Sequence, residues 1–384
     1  MEKLLKGVEV EWKALGEVLV RTKGTNITAG QMKELHKHGA PLKIFAGGKT
    51  FAFVDFEDIP KKNINRESSI IVKSRGIIEF EYYDKPFSHK NEMWSYHSKD
   101  ENVNIKYVYY FLKMNELHFQ NLGSKMQMPQ IATPDTDKFK IPIPPLKIQA
   151  EIVRILDNFT ELTAELTAEL TARKMQYNYY RDQLLTFEES QVEWKALGEV
   201  AEYSTTRISA GLLDKTNFVG VDNLLQNRAG KTESNHVPPE GNFTEYRNND
   251  ILIGNIRPYL KKIWHADRVG GTNGDVLVIH PNNEAINPRY LYQVLADEKF
   301  FDYNMQYAKG AKMPRGNKSK IMEYRFPVPK NPVEQARIVA ILDNFEALTN
   351  SITQGLPREI ELRQQQYEYY RDLLLSFPNV EIEA

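Results

Sequence analysis

Apolar positions along this chain follow two rhythms that alternate twice. Ile148, Ile152, Ile155, Phe159, Leu162 and Leu166 fall at steps of four and three, which places them on one stripe of a helix. Tyr177, Tyr180 and Leu184 carry the stripe on to Phe187, so the spacing predicts a helical arm of about 40 residues, roughly 60 Å long. A second stripe of Ile338, Ile341, Phe345, Leu348 and Ile352 predicts an arm from about Pro332 to Phe377, kinked or broken at Gly355-Leu-Pro357. Ahead of each arm the rhythm is shorter. Runs such as Ser69–Lys73 and Gly76–Tyr83, rich in β-branched and aromatic residues and bounded by Gly, Pro, Asn and Asp, read as strands, and Ile105 to Phe119 reads as a helix. Pro142-Ile-Pro-Pro145 closes the first such region, since proline stops a strand and starts a helix. The expected class is mixed α/β (α+β), a twisted sheet or partial barrel with a few helices.

The alternation is a duplication. Val10-Glu-Trp-Lys-Ala-Leu-Gly-Glu-Val18 returns letter for letter at Val192–Val200, Ile152–Phe159 returns as Ile338–Phe345, and Gln176–Phe187 returns as Gln366–Phe377. A nine-residue identity at that distance does not arise from composition, so each half is a copy of one structural unit. Expected boundaries are a globular domain over 1–145, a helical arm over 146–190, a second domain over 191–330 and a second arm over 331–384. The arms are nearly identical between the halves, whereas the domain interiors share a frame but few letters. At a constant offset Arg75 falls on Arg257 and Asn91 on Asn273. Two heads with different targets on one symmetric mount would have this pattern. Within the first arm, Thr163-Ala-Glu-Leu166 is followed by Thr167-Ala-Glu-Leu170. Adding or removing one such four-residue unit changes the length of the rod with little rotation of its stripe.

Charge sharpens this division. The chain carries a net charge of −1, but Trp12–Lys140 holds 20 Lys+Arg against 15 Asp+Glu and Trp194–Phe326 holds 18 against 15, leaving −9 for the rest. Basic domains on acidic arms suit a protein that meets a polyanion with its heads and something else with its arms. The absence of cysteine excludes disulfides, thiolate metal sites and cysteine nucleophiles. No run approaches a membrane span or a signal core, so a soluble cytoplasmic protein is expected.

Catalytic motifs are missing. Gly48-Lys-Thr50 and Gly230-Lys-Thr232 have Lys43 and Leu225 where a phosphate-binding loop needs glycine. Asn331-Pro-Val333 lacks the second proline and the aromatic of an amino-methyltransferase motif, and the carboxylates of Pro134-Asp-Thr-Asp-Lys138 are too close together for a nuclease. No histidine cluster has metal-ligand spacing.

The duplicated layout, Ile143-Pro-Pro-Leu-Lys-Ile-Gln149 with Val328-Pro-Lys-Asn-Pro-Val-Glu-Gln335, both Tyr-Tyr-Arg-Asp segments, and Gly310-Ala-Lys-Met-Pro-Arg315 with Gly123-Ser-Lys-Met-Gln127 together resemble the specificity subunit of type I restriction-modification enzymes. The resemblance covers the whole chain; it departs in lacking the second Pro-Pro pair. It implies two target-recognition domains, each gripping half of a bipartite site on double-stranded DNA, with paired antiparallel arms forming a coiled coil that sets the spacing. It implies a non-catalytic chain whose arms dock two methyltransferase (modification) subunits and could recruit restriction (motor-nuclease) subunits. It further implies that the chain needs no cofactor of its own, with S-adenosylmethionine, ATP and Mg²⁺ expected on partner subunits.

Candidate DNA-contacting residues follow from side-chain chemistry. Arg75 and Arg257 stand just after apolar strands, and arginine is the best bidentate reader of guanine. Tyr259, Lys261 and Lys262 add an aromatic and two phosphate-seeking lysines. Lys125 with Gln127, and Lys312 with Arg315 and Asn317, lie on glycine-led loops able to enter a groove; Arg207, His89, Lys90, Asn91 and Asn273 complete the set. Each could instead be an ordinary surface or salt-bridged residue. Tyr177, Tyr180, Tyr367 and Tyr370 are spaced to pack the arms together, and Arg181 and Arg371 either face partner subunits or pair with Asp182 and Asp372. The competing readings are a two-headed protein-binding scaffold and a stand-alone DNA-binding regulator.

Overall fold

The computed structural model describes residues 7–124, 128–350 and 355–377. The chain divides into two compact units, one of residues 1–162 with 363–384 and the other of residues 163–362.

In the first unit Glu11–Ala14 pairs antiparallel with Lys140–Ile143, Trp12 opposite Pro142, closing the domain on itself. Between these ends lies an antiparallel four-stranded sheet in the order Leu19–Lys23, Trp94–Ser98, Ser69–Lys73, Glu79–Tyr83. A three-stranded sheet follows, Phe51–Val54, Leu42–Phe45 and Phe87–His89, its last pair parallel. Ser69–Lys73 is buried along its whole length because Ile70 and Val72 enter the cluster around Tyr107, Val108 and Phe111, while Ile71 on the opposite face packs with Phe45, Phe87 and Met93. The helix expected over Ile105–Phe119 is two helices, Ile105–Met114 and Glu116–Gly123. The break is at Asn115, whose side-chain amide donates to the Phe111 carbonyl at 2.8 Å and so competes with the helical ladder.

The second unit repeats the plan. Val192–Ala196 pairs with Arg325–Pro329, Trp194 opposite Pro327. A four-stranded antiparallel sheet runs in the order Ala201–Tyr203, Val276–Pro281, Ile251–Gly254, Ile263–His265. A second four-stranded sheet contains Arg207–Ser209, Asn242–Tyr246, Gly270–Thr272 and Phe218–Val219. Ile251 and Ile253 face the cluster of Tyr290, Leu291 and Val294, whereas Leu252 faces Val219, Tyr246 and Val278.

The arms are helical as the periodicity predicts. The first is one helix of 39 residues, Leu146–Leu184. The second is Pro332–Thr349, with Asn331 capping the Val333 N–H at 3.1 Å and Pro332 at the first position, so an asparagine cap stands where the first arm has Pro145. A separate helix, Gly355–Leu375, follows. Gly355-Leu-Pro357 therefore opens a new helix. Gly355 has a φ of +73°, and a Cβ there would meet the Ala347 carbonyl at 2.5 Å, so only glycine fits.

Candidate nucleic-acid interface and its helical mounts

In each unit the buried central strand runs out into a turn that is hydrogen-bonded to a second loop. In the first unit the Gly76 N–H donates to the Pro129 carbonyl (2.9 Å), the Ile131 N–H donates to the Ser74 carbonyl (3.0 Å), and Arg75 bridges Gln130. In the second, the Arg257 N–H donates to the Pro314 carbonyl (2.7 Å), the Gly316 N–H donates to the Asn255 carbonyl (3.1 Å), and Ile256 bridges Arg315. These are the same bonds made twice, and they correct the sequence register. Arg75 corresponds to Ile256 and Gly76 to Arg257, one residue away from the alignment that paired the two arginines. Gly76 has a φ of +77° and Arg257 a φ of +54°, so the second unit puts arginine in the left-handed position that the first gives to glycine. Such a conformation costs a non-glycine residue about 1 kcal/mol.

The first-unit candidates separate by exposure. Arg75 and Asn91 are exposed, and the Ser74 hydroxyl donates to the Glu92 carbonyl (2.5 Å), bringing the 90–92 turn against the strand end. Lys90 pairs with Glu92 at 2.6 Å. His89 is fully buried, its ring nitrogens held by the Lys90 carbonyl (3.0 Å) and the Ser95 hydroxyl (3.2 Å), and burial lowers its pKa; it faces the core, contrary to its place among the expected surface contacts. Lys125 and Gln127 lie outside the described residues. The carboxylates of Pro134–Lys138 make local structural bonds: Asp135 accepts from the Ala132 N–H (2.7 Å), and Asp137 pairs with Arg21.

The second-unit candidates gather around the Asn255–Lys262 turn. Arg257 is exposed, with no partner for its guanidinium among the described residues, and Tyr259 is 49% exposed on the one-turn helix Pro258–Leu260. The two lysines beside it are engaged from within. Lys261 pairs with Glu298, and the Lys262 ammonium donates to the Val221 carbonyl (2.7 Å). Arg315 reaches Asp275 (3.1 Å), and the Asn255 N–H donates to the Asp275 carbonyl (2.8 Å), joining the glycine-led loop to the segment that carries half-buried Asn273. Lys312 is exposed; Asn317 caps the helix Lys318–Met322. Arg207 opens the strand Arg207–Ser209, and its guanidinium donates to Thr244 (3.0 Å).

The mounts repeat with equal fidelity. Gln149 accepts the Asn104 N–H at 2.8 Å, and Gln335 accepts the Asn287 N–H at 2.9 Å. Lys106 pairs with Asp157 (2.7 Å) as Arg289 pairs with Asp343 (2.9 Å), and the Tyr107 and Tyr290 hydroxyls donate to the Pro142 and Pro327 carbonyls. These bonds fix each head to its arm helix; Gln149, Gln335, Tyr107 and Tyr290 are buried and costly to leave unpaired, while the two ion pairs are only partly buried. Sequence reasoning missed them, although Asn104/Asn287, Gln149/Gln335 and Asp157/Asp343 are letters kept in both halves.

Among the arm residues, Phe159 stacks on Tyr370 at 5.4 Å and Phe345 on Tyr180 at 5.3 Å, a reciprocal pair of repeat positions, while Tyr367 lies against the first core. Tyr177 is buried, and burial raises its pKa to about 12. Arg371 pairs with Asp372. Arg181 follows neither expectation. It is 3% exposed, bonded to the Ala296 carbonyl (3.0 Å), Gln293 (3.1 Å) and the Tyr177 hydroxyl, while Asp182 pairs with Lys299. Among the described residues no cluster of three or more His, Cys, Asp or Glu side chains could hold a metal ion, and no helix is long and apolar enough to cross a membrane.

Mixed α/β domains of one plan, locked to helical arms by one set of bonds and differing in the loops they expose, define an internally duplicated protein. The chain belongs to the family of type I restriction-modification specificity subunits, since the model described as "Type I restriction modification DNA specificity domain" matches residues 9–173 and again 189–362. It is 36% identical over 406 residues to a type I restriction enzyme specificity subunit of Escherichia coli, covering 99% of this chain and 98% of the relative. It is 30% identical over 403 residues to a putative specificity subunit of Haemophilus influenzae, covering 98% of each. The fold is that of the type I restriction-modification S subunit from M. genitalium, with a TM-score of 0.63, 16% identity and 98% of each chain covered.

Proposed function

We propose that this chain is the non-catalytic DNA-reading subunit of a type I restriction-modification complex, acting in the cytoplasm. Each head, 1–145 and 191–330, reads one half of a bipartite site in double-stranded DNA. The arms, 146–190 and 331–384, set the gap and dock two methyltransferase subunits, on which a restriction subunit with motor and nuclease activity assembles. The observation that carries this reading is the contrast between the duplicated lock and the diverged loops. Asn104, Gln149 and Asp157 make the bonds that Asn287, Gln335 and Asp343 make, while Arg75 and Gly76 give way to Ile256 and Arg257. One mount with two different faces is what two half-sites and two identical partners require.

The heads contribute exposed arginines for base edges and exposed lysines for phosphates, so binding weakens steeply with salt. S-adenosylmethionine, ATP and Mg²⁺ are supplied by partner subunits, and the docked methyltransferase flips an adenine out of each half-site. The test is methylome sequencing of cells expressing this chain with and without a candidate modification subunit. A bipartite motif carrying methyladenine in each half, seen only with both proteins, is the expected result. Co-purification of the two proteins with no motif overturns the reading and favours a protein-binding scaffold.

A further inference from the structure

Backbone strain in this protein is concentrated beside one loop. Among the described residues the non-glycine positions with positive φ are Asn227, Arg228, Asn249, Arg257 and Lys261, all in the second head. Four of them form one assembly. Arg257 and Lys261 flank the turn that presents Tyr259, and the Arg228 N–H donates to the Lys261 carbonyl at 2.9 Å. Strained residues persist only where their surroundings over-determine them, and such strain collects at ligand-clamping sites.

What over-determines this turn can be followed bond by bond. Glu298 binds Lys261 and, at 3.1 Å, the Arg228 guanidinium. Arg228 also donates to the Ala296 carbonyl at 2.9 Å, and the same carbonyl accepts Arg181 of the arm helix at 3.0 Å. Arg181 and Tyr177 both donate to the Gln293 side-chain oxygen, and the Gln293 amide donates to Asp343 (2.7 Å) and Glu346 (3.2 Å) of the second arm. The chain of contacts therefore joins the reading turn to both arm helices within this unit. One of its members is held at a cost, because Arg181 Nε is buried without a hydrogen-bond partner. Among the described residues the first unit has no counterpart: the repeat equivalent of Arg181 is Arg371, which pairs with its neighbour Asp372, and the equivalent turn uses Gly76.

We propose that Arg228 and Arg181 are positioning residues for the second head, holding Arg257 and Tyr259 in their DNA-reading conformation and making this head's specificity depend on the arm helices. The proposal rests on the DNA-reading function above and assigns an asymmetry to it: one half-site is read by a turn clamped from the arm, the other by a turn that is not.

The test uses the full chain with its modification subunit in cells, scored by methylome sequencing. Arg257→Ala first identifies which half of the motif belongs to the second head. Arg181→Met and Arg228→Met are then expected to raise methylation of sites altered in that same half on the order of tenfold, with the other half unchanged. Arg181→Lys, which keeps a charged donor for the Ala296 carbonyl, is expected to restore most of the discrimination. Loss of folding would remove both halves together. Glu298→Gln, at a partly exposed position, therefore accompanies them: it removes the carboxylate charge shared by Arg228 and Lys261, leaving only the backbone bond between them, and is expected to relax the same half. An unaltered motif in Arg228→Met and Glu298→Gln, or equal relaxation of both halves, overturns the proposal. A wild-type chain that gives no motif at all instead refutes the function on which it rests.

Discussion

Arg257 occupies a backbone position where the other half of the repeat uses glycine, and a residue kept against its conformational preference is kept for its side chain. The guanidinium has no partner among the described residues, so no side-chain bond there offsets the strain. It orients a long cationic group outward beside Tyr259. Replacing it with glycine removes a left-handed conformation worth about 1 kcal/mol and restores the local solution that the first unit uses at Gly76. The Arg257→Gly protein is accordingly expected to be no less stable than wild type, and more stable by up to about 1 kcal/mol, while its DNA affinity falls and its salt dependence flattens by about one counterion. Denaturant unfolding alongside DNA titrations at several salt concentrations measures both. A clear loss of stability would mean that the arginine side chain packs usefully in the free protein.

At the scale of elements, the central arm helix was legible because a stripe at steps of three and four over many turns admits no other regular structure. The interruption near Gly355 was legible for a similar local reason: of the kink or break expected there, the described residues have two separate helices, the second opened by the glycine. The register between the heads was not legible. Ser69–Lys73 and Ile251–Gly254 are buried on both faces, so their letters do not alternate, and nothing in the sequence fixes which residue points which way. That one-residue ambiguity hid the correspondence of Gly76 with Arg257. Arg181 was misread for another reason: an arginine on an arm looks like a surface residue until Ala296 and Gln293, more than a hundred positions away, are folded over it. Within the arm, Leu166 and Leu170 are only half-buried, in contrast to fully buried Ile152 and Leu156, and Thr167 and Thr171 turn their hydroxyls back onto the carbonyls of Thr163 and Thr167. This stretch acts as length more than as packing. Deleting Thr167–Leu170 shortens the helix by about 6 Å. If the arm is the spacer, the non-specific gap of the methylated motif shrinks by one or two base pairs at about 3.4 Å each. An unchanged gap in the methylome of the deletion would show that the helix does not measure the distance.

For the whole molecule, the duplication presents the same local arrangement twice. Within one unit Tyr180 stacks on Phe345 and within the other Tyr370 stacks on Phe159, each tyrosine meeting the phenylalanine of the other arm, so the same contact is made once in each unit. Each of these tyrosines props its neighbour outward. Tyr179 stands edge-on to Tyr180 and is 62% exposed, and Tyr369 stands edge-on to Tyr370 and is 65% exposed. A large aromatic left in solvent at the same place in both repeats, on arms whose letters were kept while the heads diverged, suits an anchor for one kind of partner bound twice. On the proposed function those partners are the two modification subunits. Truncating one anchor should then weaken one site by about 2 kcal/mol, roughly thirtyfold, and leave the other untouched. Native mass spectrometry at limiting partner concentration is expected to show two subunits bound to wild type, one to Tyr179→Ala or Tyr369→Ala, and none to the double variant. Two subunits retained by the double variant would move the docking surface elsewhere on the chain. Loss of both subunits from either single variant would mean that the sites assemble cooperatively, so that the two-fold copy is a single binding surface in two parts.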